Sequence, residues 1–295
     1  MYTLVHLVKR NMYVYLRNKT NVMLSFLSMV IILGLNTIFL GDINKSYLSE
    51  VIKTSDTNID YFINSWLMAG VIVVNAFMVA LAVLNIMVED EEKHKMTSFI
   101  IAPISKITLT MSYIIAACIT SFVFSSITLI LSEIYIYITC NQIITFLDNM
   151  KMIGIMLINI FSIVSIVICM AAVTKSTNAY STLNMICGTL VGFITAIYLP
   201  IGSLPKTVQS VLRCFPILHG TAAMREIYTK GAIDTIFKNA PYEIIEDYKA
   251  YMGIQVTIGG YEGSIPMSLL ILIISGIIFS IFASFILARK QASDR

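Results

Sequence analysis

Six long apolar stretches constrain the fold of this chain more than any other feature of its sequence. A helix that rises about 1.5 Å per residue needs roughly 20 apolar residues to cross a hydrocarbon core about 30 Å thick. The stretches that meet this length are Val22–Gly41, Ile63–Val88, Ile107–Tyr137, Met152–Val173, Tyr180–Leu199 and Ile265–Ala288. We therefore predict an all-α polytopic membrane protein with six transmembrane helices, forming a single transmembrane domain over residues 1–295.

The composition excludes several other classes of protein. Hydrophobic residues make up 57% of the chain and charged residues 13%, whereas soluble proteins average about 45–50% and about 25%. A water-soluble chain of this size could not hide so much apolar surface, so a soluble enzyme and a disordered protein are poor interpretations. A net charge of +3 is too small to indicate a polyanion such as nucleic acid as the partner. We therefore expect membrane lipid to cover much of the apolar surface of this chain.

The basic residues predict the orientation of the chain in the membrane. Eleven lie at the termini or in the connections on the same side as the termini, and three lie in the two shorter connections opposite. The eleven are Lys9, Arg10, Arg17, Lys19, Lys93, Lys95, Lys106, Lys175, Arg289, Lys290 and Arg295. Because cytoplasmic connections carry the excess of Lys and Arg, we predict that both termini are cytoplasmic in a multi-pass protein of the plasma membrane.

Residues 2–19 have the pattern of a basic amphipathic helix. Leu4, Leu7, Val8 and Tyr15 share one face, and Arg10 and Arg17 lie opposite. Such a helix is expected to rest in the cytoplasmic interface with its apolar stripe in lipid. A basic terminus that only sets the topology is the alternative.

The connection between the second and third stretches is the most unusual cytoplasmic segment. Four acidic residues, 89–92, precede a short helical pattern in which Met96 and Phe99 share a face. Pro103 should end that helix, and Ser105 can cap the next one. The pattern favours a short helix that lies across the membrane plane and docks into a groove on a soluble partner. A solvated turn is an equal alternative.

Residues 200–264 predict an extracellular region with short, re-entrant-like helices. One helix is expected over 205–213, stopped before Pro216, and a second from Thr221 to a C-cap at Gly231. A structural cap over the bundle and a gate that handles substrate are both compatible with this pattern. A disulfide between Cys140 and Cys214 is conceivable, although the sequence cannot bring their Cα atoms together.

The sequence lacks the motifs of an enzyme. It has no GxxxxGK[ST] phosphate loop, and His6, His94 and His219 make neither a metal-ligand spacing nor a nucleophile–base arrangement. We expect no catalytic residue, metal or cofactor in this chain. Glu133 is the one acid inside a predicted span. We expect it to be an interfacial residue or part of an outer vestibule. So little buried charge weighs against coupling to protons or sodium.

Two segments resemble those of ABC-2 type ABC transporter permeases. Residues 89–106 are similar to the loop between the second and third spans of that family, and Ala102-Pro103-Ile104-Ser105-Lys106 fits its pattern well. Met96-Thr97 stands where Gly-Thr is commoner. Leu199-Pro200 through Pro216 is similar to the family's outer segment. The six-span plan and the basic N-terminal helix also agree, so the resemblance covers nearly the whole chain.

The resemblance implies an exporter built from a dimer of permease subunits, identical or paralogous, each docked on a separate cytoplasmic ATP-binding subunit that brings ATP and magnesium. It implies a coupling helix at 91–103 and a translocation path lined by spans one, two and five. The residues expected to couple are Glu91, Glu92, Met96, Phe99 and Pro103, and those of a possible outer gate are Pro205, Arg213 and Pro216. An ion-gradient-driven carrier and a non-transporting anchor or assembly factor remain as alternatives. The sequence does not identify the substrate.

Overall fold

The computed structural model describes residues 2–35, 56–93, 95, 104–238, 241–257 and 263–293, and all structural statements below refer to these residues. They form eleven helices and no strand. The helices are α1 (Tyr2–Arg17), α2 (Lys19–Leu35), α3 (Asp56–Glu92), α4 (Lys106–Cys140), α5 (Phe146–Val173), α6 (Thr177–Ile194), α7 (Lys206–Leu212), α8 (Pro216–Tyr228), α9 (Lys230–Ile236), α10 (Tyr242–Met252) and α11 (Ile265–Ser293). A short 3₁₀ turn covers Ile201–Ser203. The all-α prediction is confirmed.

Within the described ranges, four helices are long and apolar enough to cross a membrane. They are the parts of α3, α4, α5 and α11 that cover Asn58–Glu92, Ile107–Cys140, Phe146–Val173 and Ile265–Arg289. Each contains one of the predicted stretches. The other two predicted spans correspond to α2, beyond which residues 36–41 lie outside the described ranges, and to α6. Helix α6 ends at Ile194, five residues before the predicted end at Leu199, so the six-span count stays a prediction.

Helix α3 forms the core of the molecule and α11 lies at its edge. In the most apolar 18-residue stretch of α3, 89% of the residues are buried, compared with 17% in the corresponding stretch of α11. α3 packs against α4, α5, α6 and α8, whereas α11 packs mainly against α5 and α8. Polar side chains join neighbouring helices, as where Asn75 of α3 donates to Thr128 of α4 at 2.7 Å. The exposed apolar surface of α11 is suited to lipid.

The two ends of the bundle differ in character. Ser162 and Ser165 of α5 lie 3.0 and 2.9 Å from Ser275 and Ser280 of α11, so these two helices run in the same direction. At one end of the bundle α3, α5 and α11 finish and α4 and α6 begin, and α1 lies there too. We call this the basic end. The distal end, opposite, carries helices α7–α10.

The N-terminal amphipathic helix is present, but its apolar face packs on protein. Leu7 and Val8 are each 8% exposed and Tyr15 is 1% exposed. The ring of Tyr15 meets that of Phe124 edge-on, with centroids 5.5 Å apart. The prediction that this stripe lies in lipid is therefore wrong for these residues, because α4 presents an apolar surface directly beside them.

Candidate functional site

A buried carboxylate, Asp90, organises the basic end of the bundle. It is 1% exposed although it lies in the last turns of α3. Arg10 of α1 contacts both of its oxygens, Nη1 contacting Oδ2 and Nη2 donating to Oδ1 at 3.0 Å. The Tyr113 hydroxyl of α4 donates to Oδ2 at 2.8 Å, and Lys95 Nζ lies 3.4 Å from Oδ1. A buried carboxylate near the negative end of a helix dipole is costly unless it is paired, and these groups compensate it.

The hydrogen bonds continue from Asp90 into α1 and α4. Arg10 Nη1 donates to Asn11 Oδ1 at 2.9 Å, and Asn11 Nδ2 donates to Ser112 Oγ at 3.1 Å. We call Arg10, Asn11, Asp90, Ser112 and Tyr113 the Asp90 cluster. It ties α1, the end of α3 and the start of α4 into one unit. The connection between α3 and α4, which contains three of the five predicted coupling residues, therefore begins and ends at this unit.

The predicted coupling residues lie partly within the described ranges. Glu91 is half-buried and Glu92 is exposed, whereas Met96, Phe99 and Pro103 lie outside the described residues. Glu92 Oε2 accepts a hydrogen bond from the backbone N–H of Thr177 at 2.9 Å and another from its hydroxyl. The carboxylate thus sits at the positive end of α6. The sequence did not indicate this contact, which joins α3 to α6 at the basic end.

The start of α4 follows its sequence signal. The side chain of Ser105 accepts a hydrogen bond from the backbone N–H of Thr108 at 3.1 Å and caps the helix. The predicted cap is confirmed.

A polar pocket lies between α2, α3 and α6. Its volume is about 460 Å³. It is lined by Asn21, Met78, Ala82, Asn85, Ser181, Asn184, Met185, Gly188 and Thr189. The lining thus carries three amides and two hydroxyls but no charged group. The side-chain oxygen of Asn85 is buried and has no hydrogen-bond partner among the described residues. The three helices are those of predicted spans one, two and five, which the resemblance implies for a translocation path.

The predicted outer-gate residues lie at helix boundaries of the distal end. Pro205 precedes α7, Arg213 follows it, and Pro216 begins α8. Arg213 Nη2 donates to Gln209 Oε1 at 3.3 Å, and the Arg213 carbonyl oxygen pairs with His219 Nε2 at 2.9 Å. The first predicted short helix is confirmed as α7, and Arg213 joins it to α8.

The second short helix differs from its prediction. It begins at Pro216 rather than near Thr221, because proline at the first helical position loses no hydrogen bond. It ends at Tyr228, and Gly231 lies inside α9 instead of forming a left-handed C-cap. The C-cap prediction is wrong.

A buried arginine, Arg225 of α8, is the feature of the distal end that the sequence did not reveal. It is 0% exposed, and its guanidinium carbon lies 4.1 Å from the centroid of the Trp66 ring. Nη2 donates to the Ala196 carbonyl at 3.0 Å and Nε to that of Trp66 at 3.4 Å. Nη1 has no partner among the described residues. Burial lowers the pKa of Arg225 to about 9. No clear signal in the sequence marked it, because α8 also contains His219 and Glu226.

Arg225 and Trp66 connect four elements of the distal end. Arg225 belongs to α8 and Trp66 to α3, and the Ala196 carbonyl follows the end of α6. The Trp66 indole N–H donates to the Met252 carbonyl of α10 at 2.8 Å. A movement of α3 would therefore displace the short helices that contact it through these bonds.

Three further predictions concern cysteines, Glu133 and metals. Cys140 is a buried free thiol and Cys214 an exposed one, so the disulfide left open is absent. Glu133 is half-buried and accepts from the backbone N–H of Ile144 at 3.3 Å, which holds the connection between α4 and α5. In the part of the chain that the structure describes, no three His, Cys, Asp or Glu residues are grouped so that they could hold a metal ion.

Comparison with known proteins identifies the family. The family model described as "ABC-2 family transporter protein" matches residues 14–285, which run from the last turn of α1 into α11 and contain three of the candidate spans and most of the fourth. A search of curated proteins gave no match. Because the match covers far more than half of the chain, the protein belongs to the ABC-2 family of transporter proteins and is a multi-pass transmembrane permease.

Proposed function

We propose that this chain is the membrane-spanning subunit of an ATP-driven exporter, working as a dimer with a second copy or a paralogue and powered by separate cytoplasmic ATP-binding subunits. The observation that carries the proposal is the family match over residues 14–285. Both termini and the basic end would face the cytoplasm, where the ATP-binding subunits dock, and the chain would lie in the plasma membrane. ATP and magnesium would be held by those subunits.

The coupling step would take place at the connection between α3 and α4. Residues 91–103 would receive the motion of the ATP-binding subunit, with Glu91, Met96, Phe99 and Pro103 in the contact. Glu92 would instead hold the start of α6 beside it. Because the Asp90 cluster binds α1, α3 and α4 to one another, a displacement of this connection would move three helices together.

Helix α3 would carry that motion across the membrane. Asp90 and Trp66 are 24 residues apart in one helix, which corresponds to about 36 Å at about 1.5 Å per residue. The polar pocket lies along the same helix, near Asn85. A tilt of α3 would therefore open or close the pocket at one end and shift the contact with Arg225 at the other. Pro205, Arg213 and Pro216 would move with the short helices of the distal gate.

Co-purification with the ATP-binding subunit tests the coupling contact. We expect Phe99→Asp and Met96→Asp to abolish complex formation and ATPase stimulation while the permease is still expressed. Val208→Asp on α7 likewise gives an apolar residue a negative charge, at an exposed position of the distal end; it is the matched control and should leave the complex intact. If both coupling variants bind and stimulate as the wild type does, the assigned contact is wrong.

Transport by the purified complex in proteoliposomes separates the alternatives. If the proposal is right, transport requires ATP in the compartment that the basic end faces, and it needs no ion gradient. Transport driven by a gradient in the absence of the ATP-binding subunit would establish a secondary carrier. Partner binding without any transport would establish an anchor or assembly factor.

A further inference from the structure

A narrow groove on the membrane-facing side of the bundle has no role in the mechanism described above. Helices α4 and α11 form its walls and α5 its floor, with Val164 and Ile168 at the bottom, and its volume is about 540 Å³. Along α4 its lining runs from Ile107 to Cys118. We call it the α4–α11 groove.

The length and depth of the groove match one leaflet of a bilayer. The eleven residue steps from Ile107 to Cys118 correspond to about 16 Å of helix at about 1.5 Å per residue. Half of a hydrocarbon core about 30 Å thick is about 15 Å. The groove begins where α4 begins and where α11 approaches its end, at Ala288. It therefore extends from the basic end to about the middle of the membrane.

The lining suits a hydrocarbon chain. It contains no charged side chain, and its surface is mostly apolar. The serine hydroxyls in the groove are already hydrogen-bonded: Ser165 donates to the Phe161 carbonyl, Ser284 donates to the Ser280 carbonyl, and Ser280 Oγ lies 2.9 Å from Ser165 Oγ. A polar occupant would find few free partners, whereas an acyl chain would gain from the burial of apolar surface.

The shape of the groove suits an extended chain of methylene groups, which is narrower than a helix about 10 Å across with its side chains.

Basic residues stand next to the groove-lining residues in the sequence at the basic end. Lys106 directly precedes Ile107, and Arg289 and Lys290 directly follow Ala288. Arg289 is exposed, with its guanidinium 4.3 Å from the centroid of the Phe285 ring. No acid occurs in the first turn of α4 or between residues 280 and 293. Basic groups between transmembrane helices at a membrane surface attract anionic head groups.

We propose that the α4–α11 groove binds one acyl chain of an anionic phospholipid from the cytoplasmic leaflet, with its phosphate at Arg289. The assignment to that leaflet rests on the orientation given under the proposed function. The binding of lipid does not depend on transport or on the ATP-binding subunit, so each proposal can fail without the other.

Retention of lipid by the purified chain tests this proposal. The protein is purified in detergent with an equimolar mixture of phosphatidylglycerol and phosphatidylcholine with identical acyl chains, and bound lipid is counted by native mass spectrometry. We expect about one phosphatidylglycerol per wild-type chain, retained at least fivefold over phosphatidylcholine.

Two pairs of variants assign the lipid to the groove. Ser284→Phe fills the groove and should reduce retained phosphatidylglycerol at least fivefold. Ile281→Phe, on an exposed part of α11 that does not line the groove, should not. Arg289→Glu should abolish the preference for phosphatidylglycerol, whereas Lys206→Glu at the distal end should keep it.

The same measurements can overturn the proposal. Equal retention of the two lipids by the wild type would refute the anionic site. Unchanged retention in Ser284→Phe, with a monodisperse protein of wild-type melting temperature, would place the lipid elsewhere. Efficient disulfide formation between two chains that each carry Ser284→Cys would show that a second protein chain covers the groove, and this too would refute it.

Discussion

Two buried charged residues, Asp90 and Arg225, are stabilised in different ways. Asp90 is compensated by two cations and a hydroxyl. Arg225 has no acidic partner among the described residues and relies on two carbonyl oxygens and the face of Trp66. Removing a partner from a compensated buried charge is costly, whereas replacing an uncompensated one by an apolar residue of similar volume removes a desolvation penalty. The two sites should therefore respond to substitution in opposite directions.

The first prediction concerns the Asp90 cluster. Asp90→Asn removes the charge that holds Arg10 and Tyr113, and we expect a loss of about 1.5–3 kcal/mol, the typical contribution of hydrogen bonds to charged groups. Thermal unfolding in detergent measures this, and limited proteolysis should show faster cleavage around α1. Glu89→Gln, which breaks only the exposed pair with Lys93, is the control and should change neither result. Equal behaviour of the two variants would contradict the role given to the cluster.

The second prediction concerns Arg225. Arg225→Met keeps the approximate volume and removes the buried charge, so the melting temperature should stay the same or rise. The cost of freeing the Ala196 carbonyl is about 1–3 kcal/mol, which is smaller than the penalty of several kcal/mol for a buried ion. Arg225→Lys keeps the charge but loses the planar stacking on Trp66, and it should melt at a lower temperature. The reverse order of the two melting temperatures would show that the charge of Arg225 stabilises the fold.

At the scale of elements, the long helices could be predicted from the sequence because a long run of apolar residues is enough to indicate a membrane-spanning helix. Local caps then set the ends. Thr145 caps α5 by accepting from the Asp148 N–H at 3.3 Å. The third predicted span stopped at Tyr137, but α4 continues to Cys140, where Asn141 takes the left-handed conformation with φ of 54°. Asparagine tolerates this conformation better than most residues, so the signal was present.

The early end of α6 could not be predicted. Apolar residues continue beyond Ile194, yet Ala196 has a φ of 50°, an unusual conformation for alanine. Its carbonyl accepts from Arg225, which lies 29 residues later in the sequence. A tertiary contact thus favours the break, and no local pattern indicates it.

The third prediction concerns the pocket between α2, α3 and α6. Asn184→Phe should fill the pocket and abolish transport while leaving expression and the melting temperature unchanged. Ile186→Phe, two residues away on an exposed part of α6 outside the pocket, should transport normally. The assay is restored resistance to membrane-active peptides and drugs in cells that lack the gene, tested over a panel to which the wild type confers resistance. Normal resistance with Asn184→Phe would remove the pocket from the translocation path.

For the whole molecule, the sequence indicated the acid-rich end of α3 but not which of its acids is buried. Residues 89–92 are four acids in a row, and only Asp90 is buried, because its position on α3 turns it towards Arg10 and Tyr113. This choice depends on how α1 and α4 pack, which one sequence does not show. The pocket residues were hidden for the same reason: polar residues recur along α6, and only the packing decides which of them face α2 and α3.

The features described above are divided between the basic end and the distal end of the bundle. The basic end holds the Asp90 cluster, the connection to the proposed ATP-binding subunit and the mouth of the α4–α11 groove. The distal end holds the short helices and Arg225. The coupling assignment requires the basic end to face the cytoplasm, because ATP is found there.

Labelling with a membrane-impermeant thiol reagent tests this central claim most directly. Cys214 is exposed at the distal end and serves as one reporter, after the other four cysteines are replaced by serine or alanine. The other reporter is Lys93→Cys, at an exposed position at the basic end, in a chain that has no other cysteine. The account predicts that Cys214 is labelled in intact cells and that the position-93 variant is labelled only after permeabilisation. Labelling of position 93 in intact cells would contradict it.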